Sequence, residues 1–303
     1  MRLQYNVFII FLASMLWISC GADQSKKVEK SLTEQEADEL DKINQDFNKA
    51  KQIFYSLPSP IETAMLIKRS GVQFNENLLN ETDNYSKYTT TLQKALNLGI
   101  YSADLSYASM FDQTQIAIQY MSVSKIMAQD LGVLNAIDEK IIQRLEANIN
   151  NRDSIMEIIT ESFMNSDIYL KENGRPETAA IILAGGWIEG LYLAVKSVDS
   201  KRNGNDDLID RIIDQKISLS SLIQLLESYH NIEMVNRLLI DIRKVSAVYE
   251  SFDVVYSHIE TLTDPDDRTT VLKARTDVFK SANALKSLGH VVDSLRTQYV
   301  KGM

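Results

Sequence analysis

From residue 31 to the C-terminus, apolar residues recur at intervals of three and four, the spacing of one helix face. The alternation that marks a half-buried strand hardly occurs. The pattern predicts helices at 33–56, 60–70, 85–130 with a break near Gly99, 136–150, 153–172, 176–198 and 206–229. It is clearest in the last third. Val235, Ile242, Tyr249 and Tyr256 form one heptad row, with Leu238, Val245, Phe252 and Ile259 three residues after each. A second pair of rows runs through Val271, Val278, Leu285, Val292 and Tyr299, and through Ala274, Ser281, Leu288 and Leu295. Two helices of about 30 residues, joined by a turn at Pro265, must fold back antiparallel. Three of the four prolines mark expected helix starts: Ser59-Pro60-Ile61-Glu62 carries the serine cap and the glutamate of a capping box, Asp264-Pro265 offers an aspartate cap, and Pro176 follows the stop signal Asn173-Gly174. The expected fold is therefore all-α, a multi-helix bundle or array ending in a long antiparallel helical hairpin. A helical domain at 33–200 precedes a helical region at 206–303, with Ser200-Lys201-Arg202-Asn203-Gly204-Asn205 as the hinge.

The N-terminus follows a different pattern. Met1-Arg2 and a short polar patch precede an apolar run from Val7 to Ile18 that ends in Ser19-Cys20-Gly21. That is the order of a secretory signal, and the run falls short of the roughly 20 residues a membrane span needs. Leu16-Trp17-Ile18-Ser19-Cys20 resembles a bacterial lipobox, with Trp17 in place of the usual aliphatic residue. The resemblance implies a lipoprotein signal peptide at 1–19 and acylation of Cys20. Each buried methylene adds about 0.8 kcal/mol of membrane affinity, so several chains anchor stably. Residues 20–32 read as the lipidated cysteine and a polar tether. No acidic run of the kind that resembles a surface-export signal follows the cysteine, which favours the periplasmic side, at the outer membrane.

Charge and cysteine usage narrow the chemistry. Loss of the leader removes Arg2 and leaves 31 basic against 41 acidic residues, a net charge of −10. Nucleic acid is then a poor partner, because its binding rests on phosphate neutralisation. Cys20 is the only cysteine, so the mature chain has no disulfide, zinc-thiolate site or thiol nucleophile. No Walker loop, nucleophile elbow or dinucleotide fingerprint occurs, and no cofactor is expected. Glu227-Ser228-Tyr229-His230 has the spacing of one half of a di-iron bundle site, but neither His258 nor His290 has an acidic residue three positions earlier. No metal is expected either.

Three stretches stand out from this helical background: YSLPSPIETAMLIKRSG at 55–71, ALNLGIYSADLSYASMFDQ at 95–113 and LAGGWIEGLYLA at 183–194. Together they resemble a family of uncharacterised helical lipoproteins from Bacteroidota, over most of the mature chain. That resemblance implies an envelope address and an all-helical fold, and it brings no chemistry.

The residues in these stretches define the candidate sites. Gly185 and Gly186 each weaken a helix by roughly 1 kcal/mol relative to alanine. Gly186 and Gly190, four apart, leave one face bare, against which the helix of Gly99, Ala103 and Ser106 could pack closely. Glu189 lies in this apolar helix, and Asp104 and Asp112 lie among Tyr101, Tyr107 and Phe111. A carboxylate in low dielectric pairs with a donor or takes up a proton, and two such groups can work as acid and base. Asp104, Glu189, Tyr192 and Tyr101 form the candidate pocket, with Lys68 and Arg69 as possible partners of the carboxylates. The pattern favours a membrane-anchored helical module that binds an envelope protein; the alternative is a small-molecule-binding protein or hydrolase using the carboxylate and tyrosine pocket. Burial discriminates between them: an open pocket favours the alternative, a closed one the scaffold.

Overall fold

The computed structural model describes residues 60–134, 139–148, 151–198, 206–256, 260–264, 269–273, 276–279 and 282–302. The leader, Cys20, the tether, the expected helix at 33–56 and the hinge at 200–205 lie outside them. The fold is an all-α multi-helix assembly. Its helices are α1 (Pro60–Arg69), α2 (Thr91–Met110), α3 (Thr114–Asp130), α4 (Glu139–Ala147), α5 (Arg152–Glu172), α6 (Pro176–Ser197), α7 (Asp206–Glu227), α8 (Glu233–Tyr249) and α9 (Ala282–Val300). Two short 3₁₀ turns, Glu76–Leu78 and Thr82–Lys87, bridge α1 to α2.

The helix signals work locally as their chemistry dictates. Pro60 and Pro176 each open a helix, where a missing N–H costs nothing. Helix α2 begins with a full capping box: Thr90 Oγ1 accepts the Gln93 N–H, and Gln93 Oε1 accepts the Thr90 N–H. Gly132 and Gly174 adopt positive φ just past α3 and α5, which ends both helices.

Helix α6 is the centre of the assembly, packing against α1, α2, α5, α7, α8 and α9. Among the described residues it is the one helix long and apolar enough to cross a membrane. Of its apolar window, 94% is buried inside the protein, so its all-round hydrophobicity belongs to a core helix. Regions on both sides of residues 200–205 contribute to this core, with α7 and α9 packed on α6.

Two expectations are corrected. Helix α2 runs unbroken through Gly99; the break falls at Phe111–Gln113, where Asp112 takes a φ of 59°. Asp112 therefore leaves the helix of Asp104, and its carboxylate pairs with Lys68 at 2.7 Å on the surface. The second correction concerns the expected long antiparallel helical hairpin. Helices α8 and α9 do pack together, but four strands lie between them: β1 (Asp253–Tyr256), β2 (Glu260–Asp264), β3 (Thr269–Lys273) and β4 (Thr276–Phe279). β1 pairs antiparallel with β4, and β2 with β3, in one nested hairpin. The strands DVVY, ETLTD, TTVLK and TDVF are dense in valine and threonine, whose branched side chains favour a pleated ribbon over a helix. Heptad counting registers the apolar residues and ignores that preference. The expected helix start at Pro265 falls outside the described residues, between the ends of β2 and β3.

Candidate functional site

The crossing of α2 and α6 is built from missing side chains. A Cβ placed on Gly99 would lie 2.0 Å from the Ile182 carbonyl oxygen and 2.6 Å from the Gly186 nitrogen. A Cβ on Gly185 would lie 2.1 Å from the Leu96 carbonyl oxygen. The two backbones touch, and the helix propensity lost at the glycines is offset by the contact this allows. Gly190 does not take part: it faces Thr63 of α1, whose side chain a Cβ would meet at 3.4 Å, an ordinary contact.

Such close approach carries Asp104 of α2 and Glu189 of α6 into one closed compartment. Neither has any exposed surface. The partner of Glu189 is Arg296 of α9, with Nε to Oε2 and Nη2 to Oε1 both at 3.0 Å. Arg296 Nη2 also donates to the Leu78 carbonyl at 2.9 Å, and its guanidinium stacks 4.6 Å from the centre of the Tyr192 ring. Burial alone would lower the pKa of Arg296, but the charge and hydrogen bonds of Glu189, and then Asp104, raise it above its ordinary value. The forked geometry and the stacking suit arginine and not lysine.

Asp104 takes the other course open to a buried carboxyl. Its Oδ2 accepts the Asn80 N–H at 3.1 Å, and its Oδ1 receives no hydrogen bond. Burial and then the neighbouring charge of Glu189 push its pKa well above the ordinary carboxylate value, which favours the neutral acid form. A carboxyl whose folded pKa is raised contributes most below its unfolded pKa, about 3.9, and that contribution is lost as pH rises through the folded value. Asp104→Asn keeps an acceptor for the Asn80 N–H without a titrating proton. The expected result is a flatter stability profile and a higher urea midpoint than the parent at pH 8, measured by circular dichroism; a midpoint below the parent's at pH 8 would contradict the protonated form.

A shell of amide and phenol groups closes the compartment. Asn80 Nδ2 donates to Tyr88 Oη (3.1 Å) and Asn97 Oδ1 (3.3 Å), and Tyr120 Oη donates to the Asn80 carbonyl at 2.8 Å. Tyr101, fully buried, packs between the rings of Tyr88 and Tyr120 and donates to the Glu81 carbonyl at 2.9 Å. Burial is also the main cause that raises the pKa of Tyr101 and Tyr120. Tyr88 Oη, Asn97 Nδ2 and Gln93 Nε2 donate to the carbonyls of Val300, Tyr299 and Gly302, which satisfies the open C-terminal end of α9. The strap between α1 and α2 is thus pinned to α2, α3 and α9.

The expected pocket of Asp104, Glu189, Tyr192 and Tyr101 is therefore corrected to a closed ionic network that no substrate reaches without parting α2, α6 and α9. Lys68 and Arg69 are not its cations: Lys68 is held by Asp112 and Arg69 is exposed. Arg296, which sequence reasoning missed, left one signal. It lies four residues after Val292 and eight after Leu288, a lone charge on the buried stripe of α9. Among the described residues no group of three or more His, Cys, Asp or Glu side chains could hold a metal ion. His230 instead contacts the Glu227 carbonyl.

The open site lies elsewhere. A cavity of about 330 Å³ runs between α2, α3, α4, α5 and α6, floored by buried Leu98, Leu105, Ile141, Leu145, Ile159 and Ile182. Exposed Ser122 and Lys125 of α3 stand at its rim. No motif announced it, since each helix contributes only ordinary core residues. Comparison of the chain with protein-family models, curated proteins and solved structures finds no match.

Proposed function

We propose that this chain is a lipid-anchored binding protein of the cell envelope, acylated at Cys20 and held at the outer membrane facing the periplasm, as the helical lipoproteins of Bacteroidota that it resembles would be. Its helical body binds a small, largely apolar ligand. The observation that carries this reading is the cavity between α2, α3, α4, α5 and α6: its 330 Å³ lies within the range of small-molecule sites, and its floor is apolar. The closed state of Asp104 and Glu189 speaks against chemistry at those carboxylates and, by the burial criterion, favours the protein-binding reading at that place; the small-molecule reading rests on the cavity alone. Native mass spectrometry of the protein extracted from envelopes tests the reading. A bound small molecule is expected, lost when the cavity is filled; only ligand-free protein, with no stabilisation by any apolar compound in a thermal-shift screen, would sink it.

A second reading, recruitment of another envelope protein, is favoured by Ile217 of α7 and Ile240 of α8, which are 69% and 51% exposed. Isolated exposed isoleucines are common on monomers, so this reading stands second. If it holds, Ile217→Glu and Ile240→Glu lose a crosslinked partner that the parent captures reproducibly, while the fold is unchanged.

The anchor has its own test. Cys20→Ser is expected to abolish incorporation of labelled palmitate and to release the protein from washed membranes. Label retained in that variant would refute acylation at Cys20.

A further inference from the structure

The cavity among α2, α3, α4, α5 and α6 has a polarity that specifies its ligand further, granted the reading that it binds one. Its floor is aliphatic, and no aromatic side chain lines it to stack a planar ring. Two of the five serines that line it are spent, since Ser102 Oγ donates to the Leu98 carbonyl and Ser162 Oγ to the Ile158 carbonyl, both at 2.7 Å. Ser124 offers the interior no hydroxyl either, since its Oγ is closed from water. One helical position on, Lys125 stands at the mouth, exposed and without an ion pair or hydrogen bond among the described residues. The other side chains at the rim are Ser122 and Ile118, the latter 38% exposed.

An apolar floor and one unpaired cation at the opening form a gradient along a single axis. We infer that the cavity holds a single-chain anionic amphiphile, with its alkyl tail among Leu98, Leu105, Ile159 and Ile182 and its carboxylate or phosphate head at the mouth on Lys125. Lysine suits that place, because its stem lies on the apolar wall while the ammonium stays in water. At ~30 Å³ per water-sized group, the cavity accommodates about eleven such groups, close to a tail of about ten carbons. The net charge of −9 on the whole chain makes the location of Lys125 matter more, since the anion is drawn by one local cation against a repelling background.

The probes are decanoate and decanol, which share a tail and differ in charge, titrated calorimetrically below their micelle concentrations into the full chain carrying Cys20→Ser. Decanoate is expected to bind one to one, about tenfold tighter than decanol. Lys125→Gln, an exposed change that leaves the core untouched, should bring decanoate down to the level of decanol and leave decanol unchanged. Ser162→Phe and, separately, Met121→Trp should abolish both, with helical circular dichroism checked for each; two variants guard against one that fails to fold. Decanoate and decanol binding equally, or decanoate indifferent to Lys125→Gln, overturns the anionic head while the apolar site stands. Decanoate, decanol and dodecyl phosphate all failing to bind, or decanoate and decanol both binding unchanged in the filled variants, overturns the cavity as a ligand site altogether. Dodecyl phosphate binding where decanoate does not would place the head group with phosphate esters and overturn the carboxylate form.

Discussion

Arg296→Met is expected to be the most damaging single substitution in the described part of the chain. Arg296 is 9% exposed and Glu189 not at all, so methionine would leave a carboxylate in the core with no cation and a Leu78 carbonyl without its donor. Breaking one side of a buried pair costs about 3–5 kcal/mol, because the charge left behind remains desolvated. Domains are stable by only about 5–15 kcal/mol, so the loss is a large share of the whole. For a domain of this size it corresponds to a fall in Tm of roughly 6–20 °C. The mechanism has a signature that simple loss of packing lacks. Adding Glu189→Gln to Arg296→Met should recover much of the stability, since the uncompensated charge is then gone, whereas two independent losses of packing would add. Thermal unfolding of the single and double variants decides between them. Arg296→Lys should lie in between, as an ammonium cannot reproduce the two parallel bonds to Glu189 or the stacking on Tyr192.

The glycine crossing carries the second large effect. Gly99→Ala introduces a methyl whose nearest neighbours, the Ile182 carbonyl and the Gly186 nitrogen, are backbone and cannot rotate aside. Helices α2 and α6 must separate, which opens the compartment of Asp104 and Glu189 above the crossing. Overpacking costs about 1–3 kcal/mol and occasionally more, and a clash of backbone with backbone belongs at the upper end, against a helix-propensity gain of roughly 1 kcal/mol for alanine. Gly185→Ala, facing the Leu96 carbonyl, should behave alike. Gly190→Ala is the internal control: its methyl meets Thr63 at ordinary distance, so the propensity gain is expected to leave it neutral or slightly stabilised. Urea midpoints of the three variants test the set, and a Gly99→Ala protein as stable as the parent would mean the helices cross farther apart than 2.0 Å implies.

Much of this architecture was written locally. Proline at the first position of α1 and α6, the Thr90-Gln93 box and the Asn173-Gly174 stop act within one turn of chain, so their residues alone specify them. The buried row Val235, Leu238, Ile242, Val245 and Tyr249 of α8 follows equally from the period of a helix against a core. Gly99 and Gly185 signal a close approach because glycine inside a helix needs a compensating reason. The apolar run at α6 marks a core helix, although periodicity cannot say which neighbours it meets.

Other features depended on contacts distant in the chain. The stretch 253–279 carries heptad-spaced apolar residues and β-branched residues together, and pairing across the hairpin, not local spacing, selects the strand. Whether Asp104 and Glu189 are catalytic or structural rests on Arg296, 107 residues from Glu189. Only the packing of α9 on α6 brings that charge in and turns two candidate catalysts into a closed joint. The cavity is the extreme case. Leu98, Lys125, Ile159 and Ile182 are unremarkable within their own helices, and the space between them exists only as the mismatch of five packed surfaces. Local sequence sets which face of each helix is apolar; the fit among those faces, which no single segment encodes, decides where the protein is full and where it is open.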